Sequence, residues 1–505
     1  ARSPHRMKTP MPIELTLPNE LSCLPIAQAV VRAAALRRGF DETALAEIEI
    51  AVEEAATNVM KHAFDIEESP TFDIVCRPDA EGLWIVLREK GMPFDPKLMP
   101  DYKPDQASLD NEPAGMGVHL MRSMVDDVQF VNLGPEGKEL RLFKRLGGAG
   151  AGRQDGEAEA AAVAEPEVIQ EKIAYDVRLM AEHEAVEVSK CAFKSHGYSF
   201  FDDHIYYPER LVEMNRSGDM ISAVAVTRDH KFMGHAALLY QYPDDRAPEL
   251  TFVFVNVEYR GQGAFNRLNE FLMQTPKRRD FAGLYAYAVA NHVFTQKTMA
   301  RYGIQDCGIL LATCPRSWKF KGIPGDPTQR ISTILSYKYM EAPKPRIVHP
   351  PAHHREMIAS LYQNLGGTPE WGRADAAAAP LPAENAEVLT GFNESEGCAE
   401  IFLKQYGPNA VREVRRCLRD LCLRQAACIV LYLNLEDPAT RTLTAEFEKL
   451  GFFFCGILPC TRIGDALMLQ YLNNVDLAYD KIQAYSPMAK TLLEYIREHD
   501  PNASI

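Results

Sequence analysis

The feature of this sequence that most restricts its fold is an internal repeat in the C-terminal half. Residues 284–312 read LYAYAVANHVFTQKTMARYGIQDCGILLA, and residues 431–460 read LYLNLEDPATRTLTAEFEKLGFFFCGILPC. In both segments an apolar strand, a helix and a glycine near the helix end lead to the same four residues, Cys-Gly-Ile-Leu. Such a repeat predicts that one α/β domain occurs twice in this half of the chain.

The length of the chain and two biased segments predict the domain boundaries. With 505 residues the chain is too long for one hydrophobic core, and we expect three or four domains. Residues 147–168 are rich in Gly, Ala and Glu and lack aromatic side chains, so they are predicted to form a flexible linker. Prolines within 341–354 mark a second, weaker break. The predicted domains are residues 12–146, 169–342 and 343–505, the last with a C-terminal helix.

Composition and charge argue against several classes of protein. The formal net charge of −14 and the pI near 5.5 disfavour a general binder of nucleic acid or of anionic membranes. No apolar run approaches the ~20 residues that span a bilayer, and the polar N-terminal residues ARSPHRMKTP lack the apolar core of a signal peptide. The eleven cysteines are scattered and form no C-x-x-C pair. We therefore expect reduced thiols and a cytoplasmic protein.

A long helix near the N-terminus carries an unusual polar stripe. Residues 41–64 read DETALAEIEIAVEEAATNVMKHAF, with Asp41 as the expected N-cap and apolar residues at helical spacing. Glu54, Asn58 and His62 follow one another at four-residue intervals beside that apolar stripe. A solvated helix face is the common explanation of such a pattern. A functional face is the alternative, because Asn is a poor residue for a helix interior.

Two glycine motifs follow this helix along the chain. The first, REKGMPFDP at 88–96, comes directly after the apolar strand LWIVL. The second, PAGMGVHLMRSMVDDV at 113–128, places Gly115 and Gly117 just before an amphipathic helix. Glycines at a helix start let backbone N–H groups approach an anion, which the helix dipole also favours. The order of the polar helix and the two glycine motifs is more specific than either glycine motif alone.

In that order the segments resemble the GHKL ATPases, and among them the bacterial anti-sigma-factor serine kinases, over about residues 12–146. The resemblance implies a Bergerat-type α/β sandwich that binds ATP and Mg²⁺. It also implies a protein partner such as a sigma factor or an anti-sigma antagonist, and leaves a homodimer open. By resemblance Glu54 is the general base and Asn58 holds the metal through its amide oxygen. Glu89 stands where the family usually has Asp. The implied nucleotide-binding residues are Asn58, His62, Glu89, Gly91, Gly115 and Gly117.

The middle of the chain contains a second glycine turn. Residues 250–263 read LTFVFVNVEYRGQG and lead straight into the helix AFNRLNEFLM. The β-branched and aromatic residues predict a buried strand over 250–257. Successive free N–H groups in the turn can cradle a pyrophosphate, and Arg260 adds positive charge. A plain strand–turn–helix connection is the alternative.

This turn resembles motif A of the GNAT acyltransferases, and AVANHVFTQKTMARYGI at 288–304 is similar to motif B. The resemblance covers about residues 172–342 and implies binding of acetyl-CoA or another acyl-CoA. Glu249 occupies the usual place of the general base for an acceptor amine, although it could equally be a surface carboxylate. Phe265 and Met299 depart from the family pattern. The implied coenzyme-binding residues are Val255, Val257, Arg260, Gly261, Gln262, Gly263, Ala264 and Asn291.

The second copy of the repeat lacks the glycine turn. In its place residues 404–418 read KQYGPNAVREVRRCL, and we interpret the arginines of this helix as a solvated face. The copy is therefore predicted to be degenerate and structural, pairing with the first copy or binding a partner. A tail over 477–500 is predicted to be an amphipathic helix.

The predicted fold is of the α/β (α+β) class, with a GHKL-type sandwich followed by two tandem GNAT-like domains. Three functions follow from this organisation. The first is a regulatory protein that joins a serine kinase or anti-sigma-like domain to an acyltransferase-like domain. The second is an N-acyltransferase gated by nucleotide. The third is a partner-binding protein in which one or both sites are inactive.

Overall fold

The computed structural model of the protein describes most of the chain. No helix in the described residues is both long enough and apolar enough to cross a membrane. The predicted linker over 147–168 and Gly115 lie outside those residues. The described residues are 11–62, 70–79, 81–92, 116–146, 172–198, 200, 202–275, 281–316, 329–372 and 381–503.

The N-terminal domain is an antiparallel five-stranded sheet with helices packed against it. The strand order is β1-β2-β3-β5-β4, and one hydrophobic core joins the sheet to the helices. This is the α/β sandwich that the sequence predicts. The strands are β1 (Ile13–Pro18), β2 (Thr71–Pro78), β3 (Gly82–Glu89), β4 (Asp127–Asn132) and β5 (Lys138–Arg145). The helices are α1 (Leu24–Arg38), α2 (Glu42–His62) and α3 (Met116–Met124).

Helix α2 forms as its sequence predicts. The carboxylate of Asp41 accepts a hydrogen bond of 2.9 Å from the backbone N–H of Ala44, which satisfies one of the free donors at the helix start. Ile48, Val52 and Ala55 are fully buried against the sheet. Their burial fixes the rotation of the helix and hence the direction in which its polar stripe points.

The rest of the chain forms one mixed sheet of twelve strands, together with a two-stranded sheet of β13 and β14. The strand order is β15-β16-β17-β19-β18-β11-β12-β10-β9-β8-β7-β6. The first copy of the repeat supplies β6 (Tyr175–Leu179), β7 (Met220–Thr227), β8 (Phe232–Leu239), β9 (Glu249–Val255), β10 (Gly283–Val289), β11 (Gln305–Cys314) and β12 (Ile331–Tyr339). The second copy supplies β13 (Ile347–Val348), β14 (Glu370–Trp371), β15 (Glu387–Asn393), β16 (Cys398–Gln405), β17 (Cys428–Asn434), β18 (Phe453–Thr461) and β19 (Gly464–Leu472).

Helices connect corresponding strands in the two copies. Helix α6 links β9 to β10 and α9 links β16 to β17, whereas α7 and α10 lead to β11 and β18. The repeat is therefore structural as well as sequential. The helices are α4 (Ala185–His196), α5 (Pro208–Ser217), α6 (Ala264–Gln274), α7 (Phe294–Arg301), α8 (Arg355–Leu365), α9 (Ala410–Leu423), α10 (Ala439–Glu448) and α11 (Pro487–His499).

The repeated Cys-Gly-Ile-Leu motif is the point at which the two copies join. Gly308 of β11 pairs with Gly456 of β18 in antiparallel register. A Cβ added at Gly456 would collide with the backbone of Cys307 and Gly308. Downstream, Ala312 and Cys460 both have positive φ angles, of 57° and 58°. The identical motif thus supplies the close backbone approach that merges two sheets into one.

The two copies differ where their parallel strands meet. In the second copy β16 and β17 pair along six residues, from Cys398 with Cys428 to Leu403 with Leu433. In the first copy β9 and β10 pair at one position, Tyr285 with Glu249. Beyond that position β9 and β10 diverge and open a gap in the sheet. The second copy is closed at the corresponding place.

Two predicted elements have different bounds in the structure. Strand β9 ends at Val255, so Val257 lies in a short 3₁₀ turn instead of in the strand. The α-helix of the tail begins only at Pro487, where the hydroxyl of Ser486 caps it by accepting from the N–H of Ala489. The segment before it docks on the first copy, where the N–H of Gln483 donates to the carbonyl of Ala290.

Candidate functional sites

Gly117 brings the polar stripe of α2 and the second glycine motif together. Helix α3 packs on α2 and begins at Met116, so Gly117 lies in its first turn and not before it. A Cβ added at Gly117 would collide with Glu54 Oε1 and would lie 3.3 Å from Asn58 Nδ2. Both side chains are partly buried. The carboxylate, the amide and the glycine backbone therefore share one small volume.

The first glycine motif holds a buried ion pair. The side chain of Glu89 is 2% exposed, and its Oε1 lies 2.8 Å from Lys138 Nζ. Its Oε2 accepts from the backbone N–H of Gly91, and Lys138 also donates to the carbonyl of Met92. Glu89 and Gly91 are thus fixed relative to each other. Both oxygens of the carboxylate that the resemblance assigns to nucleotide binding are thus already paired within this chain.

The remaining residues of the predicted nucleotide site are only partly described. His62 ends helix α2, and its side chain lies outside what the structure describes. Gly115 lies outside the described residues altogether. Their predicted contacts stay predictions.

The glycine turn of the middle domain has the conformation that an anion cradle needs. Gly261 and Gly263 have φ angles of 84° and 79°, and nothing lies within 4 Å of a Cβ added at Gly261. Gly263 precedes α6, whose first turn begins at Ala264 and has no side-chain cap. Arg260 is exposed beside this turn. The backbone at the start of an eleven-residue helix is therefore open to solvent and accessible to a phosphate.

Gln262 ties this turn to the first strand of its sheet. Its side-chain oxygen accepts from the N–H of Ile173, and its carbonyl accepts from the hydroxyl of Tyr175. Val255 is half-buried at the end of β9, whereas Val257 is 52% exposed. Asn291 follows β10, and its Oδ1 is buried without a hydrogen-bond partner among the described residues. Such an orphaned acceptor fits a ligand donor.

A cavity of about 530 Å³ lies between the two copies of the repeat. Glu249 lines it from the start of β9, and Phe265, Met299 and Tyr302 line it from the helical side. The turn at Gly263 lies at the other end of β9, roughly 20 Å away by the rise of a strand. Phe265, which departs from the family pattern, contributes to the wall of this cavity. Its volume is that of an ordinary small-molecule site.

Comparison with known proteins decides the class of the N-terminal domain. Residues 17–144 match the sequence model of the histidine kinase-like ATPase domain. Serine-protein kinase RsbW of Oceanobacillus iheyensis is 26% identical over 124 residues, which are 24% of this chain and 78% of that protein. RsbW of Bacillus subtilis is 24% identical over 140 residues, which are 27% of this chain and 86% of that protein. The resemblance predicted for this ATPase-like domain is confirmed.

Solved acetyltransferase structures are similar to another part of the chain. A GNAT-family acetyltransferase from Staphylococcus aureus Mu50 is 14% identical and covers 33% of this chain and 100% of that one, with a TM-score of 0.26. The ribosomal-protein-S5-alanine acetyltransferase from Vibrio fischeri is 18% identical and covers 34% and 96%, also with a TM-score of 0.26.

Burial changes the acidity of Glu249. The side chain is 6% exposed, and one oxygen accepts from Gln241 Nε2 at 3.3 Å. Desolvation raises its pKa from 4.5 to about 7, and the nearby carboxylates of Asp202 and Glu400 contribute in the same direction. Of the two readings that the sequence left open, a surface carboxylate does not fit this burial. A carboxylate with a pKa near 7 can exchange protons at physiological pH.

Sequence reasoning missed the residues that the second copy contributes to the cavity. Glu396, Glu400 and Tyr432 line it from β16, β17 and the hairpin before them. The second copy, predicted to be degenerate and structural and to pair with the first copy, thus also forms part of this wall. The helix α9 does carry the solvated arginine face that was predicted, with Arg412, Arg415, Arg416 and Arg419 exposed. Tyr285 and Tyr287 are two residues apart on β10, and this spacing predicts that both side chains lie on the same face of the sheet. It is the one sequence pattern that points to the cavity.

Proposed function

We propose that the ATPase-like domain binds ATP with Mg²⁺ and phosphorylates a serine of a protein partner. The observation that carries this proposal is the meeting of Glu54, Asn58 and Gly117. Its relatives are named serine-protein kinases, and a sigma factor or an anti-sigma antagonist is the class of partner that this kinship suggests. The bound nucleotide supplies the transferable phosphoryl group, and the metal neutralises its charge.

Each residue of the site has a separate task in this proposal. Asn58 presents an amide oxygen, a ligand type that Mg²⁺ accepts. Glu54 lies one helical turn earlier and takes the proton of the attacking serine hydroxyl. Gly117 leaves room beside both side chains, and the start of α3 directs backbone N–H groups towards phosphate. Glu89 and Gly91 orient the adenine ring of the nucleotide. The carboxylate of Glu89 must then give up part of its ion pair with Lys138.

Titration with Mg-ATP, with ATP hydrolysis as the turnover readout, tests this proposal. We expect Asn58→Ala to weaken Mg-dependent ATP binding at least tenfold. Glu54→Gln should bind ATP normally and lose turnover. The control is Glu53→Gln on the same helix, since Glu53 is exposed and bonded to Gln28. Absence of binding heat for the unmodified protein would remove the kinase function and leave a partner-binding role.

A second candidate function is an acyl-CoA-dependent N-acyltransferase in the middle domain. The buried Glu249 beside a ligand-sized cavity favours it, as does the open turn from Arg260 to Ala264. The coenzyme supplies an activated acyl group. The turn holds its pyrophosphate, and Glu249 accepts the proton of an attacking amine. Amide formation would break the thioester C–S bond and release the coenzyme as a thiolate, which would take up a proton to become the free thiol.

This second activity has a route to regulation by nucleotide. The hydroxyl of Tyr198 donates a 2.5 Å hydrogen bond to the carbonyl of Gly91 in the ATPase-like domain. Met92, the next residue, packs against the hydrophobic core beneath α4 and α5. His196 and Phe200, on either side of Tyr198, line the cavity. A nucleotide that moves Gly91 therefore acts on the wall of the acceptor cavity.

Binding of acetyl-CoA and acetylation of an amine test this candidate. Glu249→Gln should retain acetyl-CoA binding and lose acyl transfer, because it keeps the shape of the side chain and removes the base. Glu270→Gln, on the exposed face of α6, is the control. If acetyl-CoA gives no binding heat, the acyltransferase function is wrong.

A further inference from the structure

The cavity between the two copies has an unbalanced charge. Five carboxylates line it, and no Lys or Arg side chain is among the described residues of its wall. They are Asp202, Asp245, Glu249, Glu396 and Glu400. Burial raises the pKa of Glu396 to about 8 and that of Asp245 to about 6. Like charges held together in a poorly solvated space make an enclosed cation favourable.

Two arginines contact residues of this wall, although neither arginine is among the residues that line the cavity. Arg330 donates to the backbone carbonyls of Ala312 and Thr313. Arg462 lies over the ring of Tyr242, 4.2 Å from its centroid, and pairs with Asp244 at 3.6 Å. Their guanidinium groups bond to backbone carbonyls or stack on rings and do not pair with the side-chain carboxylates that line the cavity. The positive charges of these two arginines reduce the excess negative charge of the carboxylates, and the space inside the cavity stays open for a ligand.

Aromatic rings form much of the remaining wall. Phe402 and Tyr432 stack with centroids 4.3 Å apart, and Tyr285 meets Tyr287 edge to face at 5.8 Å. Glu400 is held between two of the tyrosines, accepting from the hydroxyl of Tyr432 at 2.9 Å and from that of Tyr242 at 3.2 Å. The faces of aromatic rings attract cations and pack against hydrocarbon.

An unpaired acceptor in the same wall is independent of the carboxylates. Asn269 on α6 is 3% exposed, and its Oδ1 has no hydrogen-bond partner among the described residues. It lines the cavity. A buried amide oxygen without a donor is costly, so its presence here points to a ligand that donates hydrogen bonds.

We propose that this cavity binds an organic polycation, a linear aliphatic polyamine whose carbon chain packs on the tyrosines and whose amino groups meet Glu249 at one wall and Glu396 and Glu400 at the other. The second copy of the repeat then completes the site with its own carboxylates. The role of this polyamine as acyl acceptor rests on the proposed acyltransferase function. Its binding does not.

Calorimetry with spermidine as the probe tests this inference on the full-length protein without acetyl-CoA. We expect spermidine to bind and the neutral 1,8-octanediol to bind at least tenfold more weakly. At pH 7 a bound cation favours ionised carboxylates, so binding should release protons. The release appears as a difference in heat between two buffers of different ionisation enthalpy. Equal affinity for the diol, or proton uptake on spermidine binding, overturns the proposal.

Three variants separate this site from a general effect of charge. Glu400→Gln should weaken spermidine binding about tenfold, and Glu396→Gln provides the same test if the first variant does not fold. Glu394→Gln is the control, because Glu394 is 75% exposed and pairs with Arg424 outside the cavity. Asn269→Leu should raise the melting temperature and still lower the affinity, since it removes an unpaired buried acceptor. Unchanged affinity in Glu400→Gln, Glu396→Gln and Asn269→Leu contradicts the inference.

Measuring spermidine binding and acetylation separately tests the cation site and the acyltransferase function independently of each other. Spermidine binding without acetylation by acetyl-CoA refutes the acyltransferase and leaves the cation site standing. Acetylation of another amine without spermidine binding refutes the cation site and leaves the acyltransferase standing.

Discussion

Tyr198 and Gly91 connect the ATPase-like domain to the cavity of the sheet that follows. The phenol hydroxyl donates to the glycine carbonyl across 2.5 Å. A second contact lies nearby, where Asn132 Nδ2 donates to the carbonyl of Tyr206 at 2.8 Å. The first glycine motif and a segment of the cavity wall are thus in direct contact, although a linker separates their domains in sequence.

Removing the hydroxyl of Tyr198 should uncouple the two sites. Tyr198→Phe loses one hydrogen bond, worth about 1 kcal/mol, and keeps the ring contacts with Phe193 and Tyr206. We expect acyl transfer to respond less to Mg-ATP while its rate without nucleotide is retained. The measurement is the ratio of the two rates. Tyr479→Phe, which removes a distant hydroxyl bonded to Asp500, is the control.

A methyl group at position 117 should damage the nucleotide site without unfolding the domain. Gly117→Ala gains about 1 kcal/mol of helix propensity, but the new Cβ collides with Glu54 Oε1. We expect the melting temperature to change little and the affinity for Mg-ATP to fall at least tenfold. Gly39→Ala is the control for affinity, because nothing lies within 4 Å of its added Cβ; its φ of 98° should cost about 1 kcal/mol of stability without affecting Mg-ATP. Equal affinities of Gly117→Ala and the unmodified protein would mean that Gly117 does not border the site.

The join between the two copies should tolerate no side chain. Gly456 has a φ of 149° and its added Cβ collides with Cys307 and Gly308. Gly456→Val should therefore destabilise the protein by about 3 kcal/mol or more. Gly366→Ala has a positive φ but open space, so its cost should stay near 1 kcal/mol. Chemical denaturation measures both, and similar costs would show that close packing at the join contributes little.

Ionisation of Glu249 should lower the stability of the protein and raise its acyl-transfer activity as the pH increases. The Glu249 pKa of about 7 in the folded protein exceeds the ordinary value of 4.5, so between these two pH values the folded state holds a proton that the unfolded state releases. This proton contributes roughly 3 kcal/mol at most to the free energy of unfolding. The contribution is fully present below pH about 4.5 and is lost as the pH rises through about 7. Acyl transfer should rise over the same range, because the base must be deprotonated.

Glu249→Gln isolates this contribution from its neighbours. The carboxylates of Asp202, Asp245 and Glu400 face the same cavity as Glu249, and Tyr285 lies opposite Glu249 on β10. Melting temperatures measured from pH 5 to pH 8 should fall less steeply in the variant than in the unmodified protein. Identical slopes would assign the pH dependence to the other carboxylates.

The features that could be predicted from the sequence are those that depend on the local spacing of residues. Burial of Ile48, Val52 and Ala55 fixes the face of α2 on which Glu54 and Asn58 lie, so the polar stripe could be located from spacing alone. The repeat also revealed the two copies. The cavity could not be foreseen, because Glu249 and Glu400 belong to different copies and meet only when Gly308 pairs with Gly456. The contact between Tyr198 and Gly91 leaves no pattern in the sequence either.

A crystal of the protein grown with Mn²⁺ and a non-hydrolysable ATP analogue tests the central claim most directly. Mn²⁺ replaces Mg²⁺ and is located by its anomalous scattering. We expect one peak within about 2.2 Å of Asn58 Oδ1, with the phosphates at the start of α3 and Glu54 beside the terminal phosphate. Nucleotide bound elsewhere, or a metal peak with Asn58 outside its coordination sphere, would contradict the account.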